Sequence, residues 1–202
     1  MGLREQKKQA TRRQISNVAT GLFLVRGFDK VTVAEIADAA GVSKMTVFNY
    51  FPRKEDLFLD RHADRLDDLE RTIRTRAPGE PVVAALRRYH HELHEARHPL
   101  TGTRPGSAQF LRVVHASPAL LNRTLEQSRE IAEKLRTLLA EETDPLDAEL
   151  MANLLAATID SIYEYTAKRM LAGDDPDEVH RDQAAVIDRA FDLVEHGTGS
   201  RE

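Results

Sequence analysis

The chain has 202 residues, 41% hydrophobic and 31% charged, with a net charge of −4, which suits one large or two small water-soluble domains. It has no cysteine, which excludes disulfides and cysteine-based catalysis and fits a reducing cytoplasm, the expected location. No apolar run reaches the ~20 residues of a membrane helix, and the basic, polar N-terminus lacks the apolar centre of a secretion signal.

The overall charge hides a split. Residues 1–54 hold ten bases (Arg4, Lys7, Lys8, Arg12, Arg13, Arg26, Lys30, Lys44, Arg53, Lys54) against four acids (Glu5, Asp29, Glu35, Asp38). That is a net +6 within a total of −4, so the remainder carries −10. A basic head on an acidic body suits a protein whose head meets phosphate.

From about Thr11 the apolar positions Ile15, Val18, Ala19, Leu22 and Phe23 recur at helical spacing. Gly27 ends that helix, and Phe28 folds back on it. Thr32 and Glu35 form a capping box for a second short helix, whose small apolar stripe is Ile36, Ala37 and Ala40. Gly41 closes it in a left-handed conformation. Ser43 caps a third helix in which Val47, Phe48 and Phe51 are expected to be buried. Lys44, Met45, Thr46, Asn49 and Tyr50 are left pointing outward. Cations, hydroxyls and an amide are the groups that contact phosphates and base edges, and no carboxylate interrupts them. Residues 32–51 therefore read as a helix-turn-helix, with the first helix packed over it.

This stretch resembles the DNA-binding domain of the TetR family of transcriptional regulators. The matching residues are Ile15, Ala19, Phe23, Gly27-Phe28, Thr32-Val33, Ile36-Ala37, Ala40-Gly41-Val42-Ser43, Thr46-Val47-Phe48, Tyr50-Phe51, Lys54-Glu55 and Leu57. They cover roughly residues 10 to 60. Two positions depart: Phe48 stands where the family usually has Tyr, and Met45 where it has a small residue or Pro.

The resemblance implies an all-α protein of roughly nine helices, with a helix-turn-helix domain over 1–53 and a ligand-binding and dimerisation domain over 54–202. It also implies a repressor released from a pseudo-palindromic operator by a small molecule. Thr32, Ser43, Thr46, Tyr50 and Lys54 are then expected to hold phosphates, Lys44 to read a guanine edge and Asn49 an adenine edge, with Met45 beside them.

Beyond Pro52 the periodicity predicts one long fourth helix with Leu57, Phe58, Leu66, Leu69 and Ile73 on its apolar face, ending before Ala77-Pro78-Gly79. A fifth helix runs from about Val82 to Arg97, a short one from Ser107 to Ala116, and a long one from Ser117-Pro118 to the break at Asp144-Pro145. The next, about 147–172, is apolar on nearly all sides, so it must be buried on more than one face. With the last helix, about 177–196, it forms the expected homodimer surface, which the family resemblance casts as half of a four-helix bundle.

Candidate ligand-contacting residues are the polar or aromatic groups that fall within apolar sectors. They are His62, His90, Arg97, Phe110, Asn153 and Asp160, which either line an effector cavity or satisfy one another in the core. His90, His94 and His98 step by four, but His91-Glu92-Leu93-His94 is one residue short of the zinc-protease spacing. A metal sensor or metalloenzyme on His90 and His94 is thus the weakest of the alternatives. A regulator of the same fold controlled by a partner protein is another. No phosphate loop, nucleophile elbow or Ser-His-Asp set points to an enzyme, and no cofactor or metal is expected. The expected partners are operator DNA, a small-molecule effector and a second copy of the chain, with no membrane.

Overall fold

The computed structural model describes residues 2–197, and every regular element among them is helical. The chain divides into two compact units, residues 1–60 with 112–124 and residues 61–111 with 125–202.

The first unit holds α1 (Leu3–Arg26), α2 (Val33–Ala40), α3 (Lys44–Tyr50) and α4 (Lys54–Phe58). Helix α1 begins at Leu3 instead of near Thr11. Its first turns are Gln, Lys and Ala, good helix formers that need no apolar stripe. Phe23 is fully buried, 4.9 Å from Phe28 and edge-on to Phe58 at 5.6 Å. Burial of such a ring contributes roughly 1.5–3 kcal/mol. Ile15, Ala19, Ile36, Ala37, Val47 and Phe51 complete the core.

The turn between α2 and α3 forms as the sequence predicts. Gly41 has φ 67° and ψ 32°, and the Val42 N–H returns to the Ala37 carbonyl at 3.0 Å. A side chain at Gly41 meets no neighbour, so the requirement there is conformational and not spatial.

The single long helix expected after Pro52 is two helices. Helix α4 stops at Phe58, and α5 (His62–Arg74) starts afresh. The cause lies far away in sequence. Arg12 donates to the Asp60 carbonyl at 2.6 Å, and Ser16 Oγ donates to the Asp60 carboxylate. With Leu57 and Phe58 buried, these bonds tie residues 54–60 to α1, so the first compact unit runs past the boundary expected at residue 53. Residues 112–124 are tied to the same unit by Ser117 Oγ on Asp29 at 3.0 Å and Arg123 on Asp56 at 2.8 Å.

The second unit contains α5, α6 (Val82–Glu95), a 3-10 turn at Pro99–Thr101, the start of α7 (Ser107–Ala116), and α8 (Pro118–Leu139) from Leu125 on. Helices α9 (Pro145–Ala172) and α10 (Pro176–His196) complete it. Helices α7 and α8 each contribute residues to both units. Leu69, Leu86, Leu135, Leu155, Ile159, Ile187 and Phe191 centre its core. Asp144 caps α9 through its carboxylate, with Pro145 in the first turn, and Gly173 ends it in the left-handed region.

Helix α9 buries one side, while Leu146, Leu150 and Leu154 stay 66%, 60% and 46% exposed, successive turns of one stripe. Tyr165 on α9 and Leu193 on α10 are similarly open. No described helix is long and apolar enough to cross a membrane.

Candidate DNA-reading face and effector cavity

The capping box at α2 is complete. Thr32 Oγ1 accepts from the Glu35 amide at 3.2 Å and donates to the Glu35 carboxylate at 2.8 Å, while the Thr32 amide donates to that carboxylate at 2.7 Å. Arg26 reaches the same carboxylate at 2.7 Å. The Thr32 amide, then Arg26 and the Thr32 hydroxyl, hold Glu35 down at about 2. Thr32 is exposed, but its hydroxyl proton is already committed to Glu35.

Ser43 caps α3, its Oγ accepting from the Thr46 amide at 3.0 Å and sharing a 2.8 Å bond with Thr46 Oγ1. Those two hydroxyls are thereby pinned at the start of the helix. Lys44, Met45 and Asn49 are exposed, and Thr46 and Tyr50 are partly so. Helix α3, Lys-Met-Thr-Val-Phe-Asn-Tyr, contains no acid. A face of this kind presents a cation, an amide and apolar atoms to a groove.

Two residues differ from expectation. Phe48 is 39% exposed, not buried, and its ring lies under the Lys44 ammonium at 5.8 Å. It follows Val47 by one residue, about 100° around the helix, and so turns off the buried stripe. Phe48 therefore joins the outward face, where it adds apolar surface. Lys54 points the other way: Nζ donates to the Phe28 carbonyl at 2.7 Å and sits 4.2 Å over the Phe28 ring. The structure thus places Lys54 as a brace of the head, away from the outward row of α3.

In the second unit a cavity of about 30 Å³ lies among α5, α6, α9, α10 and the 3-10 turn. Its apolar wall is Leu93, Leu100, Ile159, Ile162 and Ile187; its polar lining is Arg65, His90, Thr101, Tyr163 and Gln183. Of the six expected ligand-contacting residues, only His90 lines it. Its Nδ1–H donates to the Leu86 carbonyl at 2.8 Å. Burial lowers its pKa to about 4, so the ring is neutral at pH 7 and Nε2 carries a lone pair.

The other five lie elsewhere. Arg97 was expected on the core side of α6, but that helix ends at Glu95. Arg97 adopts φ 44° beyond the end, is exposed, and pairs with Asp177 at 2.7 Å. Its helical-wheel position therefore had no meaning. His62 pairs with Glu130, exposed Asn153 donates to Glu149 at 3.1 Å, and Asp160 accepts from Ser128. Phe110, on α7, is partly buried outside the cavity wall.

Sequence reasoning missed Arg65 and Gln183, although both had a signal. Arg65 precedes Leu69 by four residues, and Gln183 sits midway between Val179 and Ile187, so each is a polar residue inside a buried stripe. Gln183 is satisfied: its amide donates to the Thr101 carbonyl and to Thr166 Oγ1, both at 2.9 Å.

The histidine ladder does not converge. His94 Nδ1 donates to Gln183 at 3.3 Å and its ring stacks on His180, while His98 accepts from the Leu100 amide and caps the 3-10 turn. Among the described residues the one group spaced to hold a metal ion is Asp192, Glu195 and His196. Arg87 already neutralises its two carboxylates, at 2.8 and 3.0 Å.

Comparison with known proteins places this geometry. Residues 15–60 match the family described as bacterial regulatory proteins, tetR family. The HTH-type transcriptional regulator TcmR of Streptomyces glaucescens is 27% identical over 87% of this chain and 80% of its own length. The HTH-type transcriptional repressor Rv1474c of Mycobacterium tuberculosis is 28% identical over 89% of this chain and 90% of its own. Among solved structures, FadR of Thermus thermophilus, a TetR-family transcriptional repressor in complex with lauroyl-CoA, superposes with a TM-score of 0.56 at 27% identity, covering 95% of this chain and 96% of that one. The matched segment runs from within α1 through α4 and contains the capped turn, the acid-free α3 and the phenylalanine core that holds them; this head is that of the TetR family of bacterial DNA-binding transcriptional regulators.

Proposed function

We propose that the protein is a homodimeric repressor whose two α3 helices read the half-sites of a pseudo-palindromic operator and which a small molecule in the second unit releases. The observation that carries the reading is the outward face of α3: Lys44, Met45, Phe48 and Asn49 stand exposed on a helix with no acid. Asn49 matches the paired donor and acceptor of adenine, Lys44 the acceptors of guanine, and Met45 and Phe48 thymine methyls. The hydroxyls of Ser43, Thr46 and Tyr50, with Thr32, serve phosphate oxygens, which position without specifying.

Helices α9 and α10 form the dimer surface. Leu146, Leu150 and Leu154 make one exposed apolar stripe, the kind of surface that marks a contact with another molecule. Two copies then place their recognition helices ~34–36 Å apart, one turn of B-DNA.

The cavity supports small-molecule control over control by a partner protein, as does the ligand held by the Thermus relative. Release requires that the effector prefer a conformation unable to hold both half-sites. Helix α8 runs through both units and is the continuous element along which such a preference can be felt.

Fluorescence anisotropy with the DNA upstream of its own gene tests the reading. Tight, salt-dependent binding to one palindromic stretch, lost when its half-sites are separated by half a helical turn, is expected. Equal affinity for scrambled DNA at every salt concentration refutes it.

A further inference from the structure

The effector cavity contains a cation without a partner. Arg65 on α5 lines it, and among the described residues its guanidinium makes no hydrogen bond and no ion pair. Asp160 on α9 is the acid whose charge acts on it most. That carboxylate, however, accepts the Ser128 hydroxyl and lies outside the cavity wall. Every other arginine given a role above is held by a carboxylate or a carbonyl. A guanidinium carries five N–H donors in a planar fork; those of Arg65 keep some contact with water, and none has an acceptor among the described residues. The groups that satisfy such a fork through two parallel bonds are a carboxylate or a phosphate, of which the smaller, planar carboxylate suits a cavity of about 30 Å³.

The rest of the wall narrows the ligand further. Gln183 and Thr101 bond to their own neighbours and shape the cavity without offering free donors. Tyr163 shares the wall with Arg65. Ile159, Ile162 and Ile187 supply the apolar side. A volume of about 30 Å³ is on the scale of one or two waters, room for a carboxylate head, so a longer body enters only if the aliphatic wall moves.

We propose that the effector is a small organic carboxylate, its head on the Arg65 fork and its apolar body against Ile159, Ile162 and Ile187. This rests on the reading of the second unit as the effector-binding part. A neutral molecule of the same shape leaves the fork unfilled, and Asp160 opposes the incoming charge.

Isothermal titration of the full-length protein with hexanoate and benzoate, beside hexanamide and benzamide, tests it. The acids are expected to bind at least about tenfold more tightly than the amides, the scale of one charge-assisted pair. Arg65→Met should erase the preference while circular dichroism keeps its helical signal. Asp160→Asn should tighten the acids and leave the amides unchanged, which keeps the test decisive if Arg65→Met does not fold. Amides binding as well as acids, with both lost on filling the cavity by Ile159→Trp, overturns the carboxylate assignment and leaves the effector site standing. Acids that bind with the expected preference but leave affinity for the upstream DNA unchanged support the Arg65 site and refute ligand-controlled release. No binding by any probe up to its solubility overturns the proposal.

Discussion

The Lys54 ammonium donates to the Phe28 carbonyl at 2.7 Å and lies 4.2 Å over the Phe28 ring, with the Phe23 ring 5.7 Å away. One side chain at the start of α4 thus closes the far end of α1 by a charge-assisted hydrogen bond and a cation–π contact. Burial lowers its pKa, and Asp29, then Glu55 and Glu35, oppose that shift. Lys54→Met is expected to lower stability by about 1–2 kcal/mol, the scale of one such bond with one such contact, read by chemical denaturation. Its salt slope for DNA should match that of the parent protein. A slope smaller by about one with stability unchanged instead identifies Lys54 as a phosphate ligand.

Acid weakens the head through Glu35. Its folded pKa, about 2, lies below the ordinary carboxylate value, so its stabilising effect is present above pH 4.5 and is lost as the pH falls toward 2. The Thr32 amide is the chief cause, followed by Arg26. Thr32→Ala removes the N-cap and should cost about 1 kcal/mol at neutral pH. Glu35→Gln should flatten the acid limb of a pH–stability curve. An unaltered acid limb in that variant rules out the capping box as its source.

The head was legible because its decisive contacts are local: Thr32 with Glu35, Gly41 with Ala37, and Ser43 with Thr46 lie within a few residues of each other. The break between α4 and α5 was not, because Asp60 is held by Arg12 and Ser16 from another helix. A continuous apolar stripe from Leu57 to Ile73 gives no sign of such a contact. Arg97 shows the same limit in reverse, since a wheel extended past Glu95 assigned a face to a residue outside the helix. Arg65 was readable in principle. It occupies an apolar register on α5, as His62 does one turn earlier. Which residues of different helices share a cavity depends on packing that no single helix encodes.

Base reading and positioning should separate on α3. Asn49→Ala is expected to cost about 1–3 kcal/mol at one base pair of each half-site and to relax preference there. Thr46→Ala, which frees the Ser43 hydroxyl from its 2.8 Å partner, should weaken all sequences together. Binding measured against a set of single-base operator variants distinguishes them. A uniform loss in both refutes the assignment of Asn49 to a base edge.

The stripe Leu146, Leu150 and Leu154 gives the last expectation. Each leucine is roughly half exposed or more, and covering what remains open contributes about 1–2 kcal/mol, roughly half the value for full burial. Two-fold symmetry uses every such contact twice, so a substitution acts on both copies at once. The double variant Leu150→Glu, Leu154→Glu places like charges against each other across the axis and leaves the buried side of α9 intact. Sedimentation equilibrium should find the parent protein dimeric and this variant monomeric, with circular dichroism unchanged. Affinity for a full operator should fall to that for a single half-site, because the second α3 no longer arrives with the first. Persistence of the dimer in the double variant shows that copies meet through another surface, and loss of helicity shows that the stripe supports the fold of its own chain.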